Sequence, residues 1–281
     1  MNMITDDIGS FPLPSAAAKA RLRDIGHKII DGSYSDTEEE EFIDAVVSTF
    51  SEKLESGLDV VTYPQLHEMI EGFMKPIEKH GVEGQPYIIK TGHALIPEVE
   101  VVKVFAQRRV EEGGEPVSLR VCVTGPLDLY VRSISTQVEA DILLAIGESI
   151  GRFVKNSLID EPYLKTKVIS LDEPSLGLNP NIVVEKDKLI DAWNKAAEPA
   201  QNTDVQIHLH APAEAETAFQ TKNINVIGIE AAENPDALKA IELTDLESYD
   251  KHLRVGIARS NITALSTEYE QAKGVNPLNK P

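Results

Sequence analysis

The sequence predicts an α/β protein, a single (β/α)8 TIM barrel spanning residues 1–281. Three observations carry that expectation: helical and strand patterns alternate to the end of the chain, strand candidates number about eight, and no Ser/Gly/Pro-rich linker interrupts them. A barrel of this kind takes ~250 residues, which suits a 281-residue chain of 30.8 kDa. Length alone also leaves two smaller domains open, and periodicity alone does not separate a closed barrel from an open parallel sheet.

The opening segment, Asp6 to Ser15, is broken by glycine and proline and reads as a strand end running into a loop. Ser35-Asp36-Thr37-Glu38 reads as a capping box, and the acidic run from Glu38 to Glu41 suits the positive end of a helix dipole. Phe42, Val46, Phe50 and Leu54 then form an apolar stripe on a helix that stops near Gly57. Leu58 to Thr62 follows at once as a short strand, ended by Pro64. The same order repeats. Residues 97–112 read as a helix and Val117 to Thr124 as an alternating strand closed by Gly125-Pro126. Residues 137–158 read as a long helix and Lys167 to Leu171 as a strand ended by Asp172-Glu173-Pro174. A helix near 182–199 precedes the strand Val205 to His210, and Asn225 to Glu230 precedes a helix near 235–242. Arg254 to Ala258 and Val275-Asn276-Pro277 are the last strand-like pieces.

Composition narrows the partners. Lys+Arg 27 against Asp+Glu 46 gives a net charge of −19, with pI ≈ 4.8 and mean hydropathy −0.19. Such a field repels phosphate backbones and anionic lipid, so no nucleic-acid and no membrane partner is expected. No apolar run reaches ~18 residues and the N-terminus has no basic stretch before an apolar core, which predicts a cytoplasmic protein. The single cysteine, Cys122, excludes an internal disulfide and a multi-cysteine metal site. It shares a strand face with Arg120 and Thr124 and reads as a small core residue rather than a nucleophile. Neither a G-x-G-x-x-G nor a Walker loop is present.

In a barrel, chemistry gathers at the C-terminal ends of the strands. In Val205-Gln-Ile-His-Leu-His210, Val205, Ile207 and Leu209 share one face while Gln206, His208 and His210 share the other. Both imidazoles then aim inward at the mouth. Glu230 ends the next strand on the face of Val226 and Gly228. Two His and one Glu are a ligand set of the kind catalytic zinc uses, with the fourth position open. The plainer alternative is a pair of hydrogen-bonded barrel histidines and an exposed strand-end glutamate. Asp172 puts a carboxylate at the mouth that could hold a substrate ammonium, or cap a turn. His27, His67, His80, His93 and His252 read as surface or loop residues.

These pieces, taken in order, resemble the C-terminal catalytic barrel of cobalamin-independent methionine synthase, in its short single-barrel form. Ile8-Gly9-Ser10-Phe11-Pro12 matches the family's opening I-G-S-F-P. Gly57 to Thr62, with Gln65 and Met69-Ile70-Glu71-Gly72-Phe73, matches its second strand and following helix start. Thr124-Gly125-Pro126, Asp172-Glu173-Pro174, His208-Leu-His210, Ile229-Glu230 and Val275-Asn276-Pro277 match its T-G-P, D-E-P, H-x-C, I-E and V-N-P. The resemblance implies a zinc-dependent methyltransferase that moves a methyl group from methyltetrahydrofolate, or from a methylcorrinoid, to a small thiol such as homocysteine. It implies zinc on His208 and Glu230, with His210 at the family's cysteine position still able to bind it, Ile8, Gly9, Ser10 and Asp172 on the amino-acid end of the substrate, and Asp172 as a catalytic residue.

The departures from the family are specific. His210 stands where it has a zinc cysteine, Asn279 where it has the last one, Ala258 at about the place of its catalytic histidine, and Tyr63 at the strand-two acid position. A second reading is therefore a non-catalytic paralogue that binds a small ligand or a corrinoid protein. A third, a metal-dependent hydrolase with an H-x-H motif, fits less well, because that motif belongs on a first strand and here it comes late.

Overall fold

The structure, a computed structural model, describes residues 3–9, 15–210, 214–232 and 234–258. In chain order the elements are α1 (Ala16–Asp31), α2 (Asp36–Glu55), β1 (Val61–Thr62), α3 (Glu71–Lys79), β2 (Gly81–Val82), β3 (Gln85–Ile89), α4 (Pro97–Glu111) and β4 (Val117–Thr124). They continue as α5 (Pro126–Ser133), α6 (Ala140–Ser157), β5 (Asp160–Glu161), β6 (Leu164–Asp172), α7 (Lys186–Ala197) and β7 (Asp204–Leu209). The last are α8 (Ala215–Phe219), β8 (Val226–Ile229), α9 (Leu243–Ser248) and β9 (His252–Val255).

The main sheet runs β1-β4-β6-β7-β8-β9, every neighbour parallel, with β5 folded back antiparallel on β6. Each parallel step needs a crossover, and helices supply most of them. A parallel sheet covered by helices buries both strand faces, and the burial agrees: all of β4 except Ser118 is buried. The α/β prediction therefore holds, with a parallel sheet of six strands at its centre. Asp6 extends the order by one place, forming a parallel bridge to Val60 beside β1. At the opposite edge, Arg254 on β9 donates to the same Asp6 through Nε at 2.7 Å. A sheet whose two ends share one ion pair is curled. Val275-Asn276-Pro277 lies outside the described residues.

Local signals explain most elements. Ser35 accepts from the Glu38 backbone while the Glu38 side chain reaches back to the Ser35 N–H, the expected reciprocal capping box. Phe42, Val46 and Phe50 are buried on α2 as the stripe predicts. Several expectations need correction. The 137–158 helix begins at Ala140, and the 182–199 helix is confined to Lys186–Ala197. Pro235–Ala240 is a 3-10 turn. The helix α1 and the β2–β3 hairpin were not anticipated at all, although Ser15 caps α1 through the Ala18 N–H just ahead of an alanine run. Among the described residues no helix is long and apolar enough to cross a membrane.

Candidate functional site

Strand register assembles the inner face. Thr124 lies beside Asp172, Asp172 beside His208, His208 beside Gly228, and Gly228 beside Arg254. Val205, Ile207 and Leu209 are buried in the apolar core, so alternation turns Gln206 and His208 to the opposite, inner face. Gln206 and His208 are themselves buried, whereas His210, just past β7, is exposed.

His208 and Glu230 come together. The Nε2 atom of His208 stands 3.4 Å from Oε1 of Glu230, yet neither that oxygen nor Nδ1 of His208 has a hydrogen-bond partner. Burial, reinforced by His210 and opposed by Glu230, lowers the His208 pKa to about 3. The ring is therefore neutral at neutral pH and carries a lone pair. Two ligands at ~2.0–2.1 Å from a tetrahedral zinc lie about 3.3 Å apart, so this pair fits two adjacent positions on such an ion. The His210 ring sits edge-on to His208 with centroids 5.0 Å apart. Among the described residues no group of three His, Cys, Asp or Glu side chains is gathered to hold a metal ion.

Asp172 accepts the Ser170 hydroxyl at 2.7 Å, and Ser170 in turn accepts Nη2 of Arg120 at 2.9 Å. Burial raises the Asp172 pKa, against the pull of Arg120 and the Ser170 hydroxyl. Ile8 and Gly9 reach the same interior. The Ile8 carbonyl accepts Sγ of Cys122 at 3.5 Å, and the Gly9 carbonyl accepts Nζ of the buried Lys53 at 2.9 Å. Ser10 lies outside the described residues, as does Asn279. Ala258 is described and exposed, and Tyr63 is wholly buried with its hydroxyl donating to the Cys122 carbonyl at 2.8 Å. Cys122 is buried as expected, and burial pushes its thiol up to about 12. It stays protonated and is no nucleophile.

Two arrangements escaped sequence reasoning. The first is the interior cation pair: Arg120 and Arg254 both lean on Asp6, at 3.4 and 2.7 Å. An arginine inside the apolar run of β4 was the available signal, since such a residue is buried only with partners. The second is His67, which lies in a loop but is buried rather than on the surface, with Nδ1 2.6 Å from Oε1 of the fully buried Glu98. Burial opposes charge on that ring, yet Glu98 outweighs it and the His67 pKa is raised. Nothing local in the sequence joins residues 31 positions apart.

No protein-family model matches the chain, and no curated protein matches it. Among solved structures, one of oxaloacetate acetylhydrolase in complex with the product oxalate is similar, with a TM-score of 0.36 and 10% identity over 83% of each chain.

Proposed function

We propose that the chain is a cytoplasmic methyltransferase that moves a methyl group onto the sulfur of a small thiol such as homocysteine, with zinc held by His208 and Glu230 and completed from His210. The observation that carries this reading is the His208–Glu230 pair, an imidazole nitrogen and a carboxylate oxygen 3.4 Å apart with that oxygen unpartnered. With the imidazole proton on Nδ1, Nε2 and the Glu230 oxygen are two acceptors facing each other, and such a pair in a buried site asks for a cation between them. When bound, zinc supplies the charge that holds a thiol as its thiolate at neutral pH. The chain's own groups do the rest. Neutral His208 offers its lone pair, and Glu230 supplies the compensating negative charge. Asp172, one strand over, receives the substrate ammonium, and Ile8 and Gly9 complete the amino-acid end of the site. In this reading the curled sheet completes to a (β/α)8 barrel.

Methyl transfer forms an S–CH3 bond and breaks the donor's N–CH3 or Co–CH3 bond, while the thiol proton leaves to solvent. The folate nitrogen needs a proton as it leaves, whereas cobalt departs as a stable reduced species. Removing a positioned proton donor costs ~10²–10⁴-fold, and Ala258 offers none, so a methylcorrinoid is the preferred donor. A second reading, a non-catalytic paralogue binding a small ligand or a corrinoid protein, is favoured by the buried Tyr63, which fills the strand-two acid position.

The test is zinc content with methyl transfer. Wild type purified without added metal is expected to hold close to one zinc per chain, and His208→Ala to lose most of it. Methyl transfer to a panel of thiols should run faster from methylcorrinoid than from the folate. Wild type without affinity for added zinc, and with turnover no faster than His208→Ala on either donor, would establish the non-catalytic reading instead.

A further inference from the structure

Away from the inner face, two more histidines border one cavity. His67 is fixed by Glu98, whose Oε1 accepts its backbone N–H at 3.2 Å and meets its Nδ1 at 2.6 Å. With Nδ1 turned to Glu98, Nε2 is the nitrogen left for another partner. The ring lies against Gly72, where a Cβ would stand 2.8 Å from Nε2, so only glycine lets the ring rest at this helix start. His67 and Gly72 line a cavity of ≈ 10 Å³ between α1 and the starts of α3 and α4, with Ile30, Phe73 and Ile96 as apolar walls. That is about the room one water or one hydroxyl takes. His27, on α1, lines the same cavity, and its Nε2 is buried without a partner among the described residues.

The two rings are tuned apart. Burial opposes charge on His67, but Glu98 outweighs it and raises its pKa. Burial, reinforced by Lys75 and by His67 itself, lowers the pKa of His27. Between those two values His67 carries a proton on Nε2 while His27 keeps a lone pair. A donor and an acceptor on a cavity one atom wide suit a group that both accepts and donates, which is a hydroxyl. An ammonium only donates, and a carboxylate only accepts.

A wider space adjoins it. His27 and Ile30 also line a cavity of ≈ 380 Å³ between α1 and α3, which has room for the body of a small molecule. Lys75 and Lys79 line that space too, but each holds a carboxylate, Glu71 at 2.9 Å and Asp31 at 2.6 Å. Glu78 adds a negative charge, so nothing there calls for an anion. We propose that this is a second binding site, for a small uncharged alcohol, with His67 donating through Nε2 to the hydroxyl oxygen, His27 accepting the hydroxyl proton, and the apolar body in the wider cavity. The site shares no residue with the His208–Glu230 pair and stands apart from the methylation reading.

The experiment is NMR titration of the full chain, isotope-labelled at its histidine rings, with 2-phenylethanol, its methyl ether and ethylbenzene. The alcohol donates and accepts, the ether only accepts, and the hydrocarbon does neither. The alcohol is expected to shift the ring signals of His27 and His67 and to bind about tenfold more tightly than the ether, which is what one good hydrogen bond is worth. Ethylbenzene should bind no better than the ether. His27→Leu removes the acceptor and should bring alcohol and ether close to equal. Ile30→Trp fills the space from its wall and should abolish the shift at His67 while leaving both rings in place. Each variant is checked for an unchanged melting profile; if one fails to fold, the other carries the test, and the wild-type comparison decides if neither folds. Equal binding of alcohol and ether by the wild type, ring signals that the alcohol leaves unmoved, or a preference that survives in a folded variant overturns the site and leaves a cavity that holds water only.

Discussion

Asp172 closes β6 with its carboxyl on the inner face, where the Ser170 hydroxyl meets it, whereas Glu173, the next residue, turns toward α5 and α7 and takes three N–H donors. Those donors are the backbones of Leu127 and Asp128 at 3.0 and 2.7 Å and the Trp193 indole at 2.8 Å. The contrast extends to the surroundings. Of eight buried side-chain atoms without partners among the described residues, five lie on the inner face around His208, and none belongs to the Glu173 cluster. A protein that satisfies its polar groups on one side of a strand and leaves them bare on the other places the cost where a ligand can repay it. Glu173 also explains two motifs at once. A Cβ on Gly125 would overlap the Glu173 carboxyl, so T-G-P and D-E-P form one structural joint between β4, β6 and α7. The first carboxylate of D-E-P faces inward onto the Ser170 hydroxyl, and the second holds the scaffold.

The largest expected effect tests that division directly. Glu173→Ala strands three buried donors and opens a cavity, and should cost ~3–5 kcal/mol in urea unfolding. A cost smaller than that of Asp172→Ala would break the comparison. Gly125→Ala should come next, at ~1–3 kcal/mol, because the new methyl must displace the Glu173 carboxyl. A third effect is pH-dependent. Burial, against the Trp193 hydrogen bond, raises the Glu173 pKa from its ordinary 4.5 to about 8. Between those values the folded chain holds the proton and the unfolded chain has lost it, so stability falls as pH rises through the window. The slope reaches at most ~1.4 kcal/mol per pH unit. Glu173→Gln should flatten that slope in urea midpoints measured from pH 5 to 8. The smallest effect belongs to Asp172→Asn, expected within ~1 kcal/mol of wild type in stability while weakening binding of an amino-thiol. A large loss of stability would make Asp172 a scaffold residue like its neighbour.

The sequence made the inner face legible strand by strand because alternation is local. Val205, Ile207 and Leu209 on one side dictate where His208 points, and the capping box at Ser35 fixes the start of α2 from four consecutive letters. What it concealed depends on distance. His67 and Glu98, or Asp6 and Arg254, carry no mark of each other, and the hand-off of Glu173 to α5 depends on a crossover 45 residues away. The α1 helix escaped for another reason: its cap lies in a proline-rich stretch that reads as loop. Asp172 was legible at the mouth from its place at the strand end, whereas the scaffold role of Glu173 was not, because its partners Leu127, Asp128 and Trp193 lie on other elements.

The Arg254–Asp6 contact joins residues 248 positions apart, and this sets the order of events as the chain is made. At ~5–20 residues per second on the ribosome, the segment around Asp6 waits about 10–50 s before its partner exists. Throughout that interval the β1 edge is covered on one side only by a short, acidic piece of chain, gripped by Lys53 at Asp7 and then by Arg120 at Asp6. Negative charge at that edge discourages another nascent strand from pairing there. The same aspartate that later joins the two ends of the sheet thus guards the edge while the sheet is still half built.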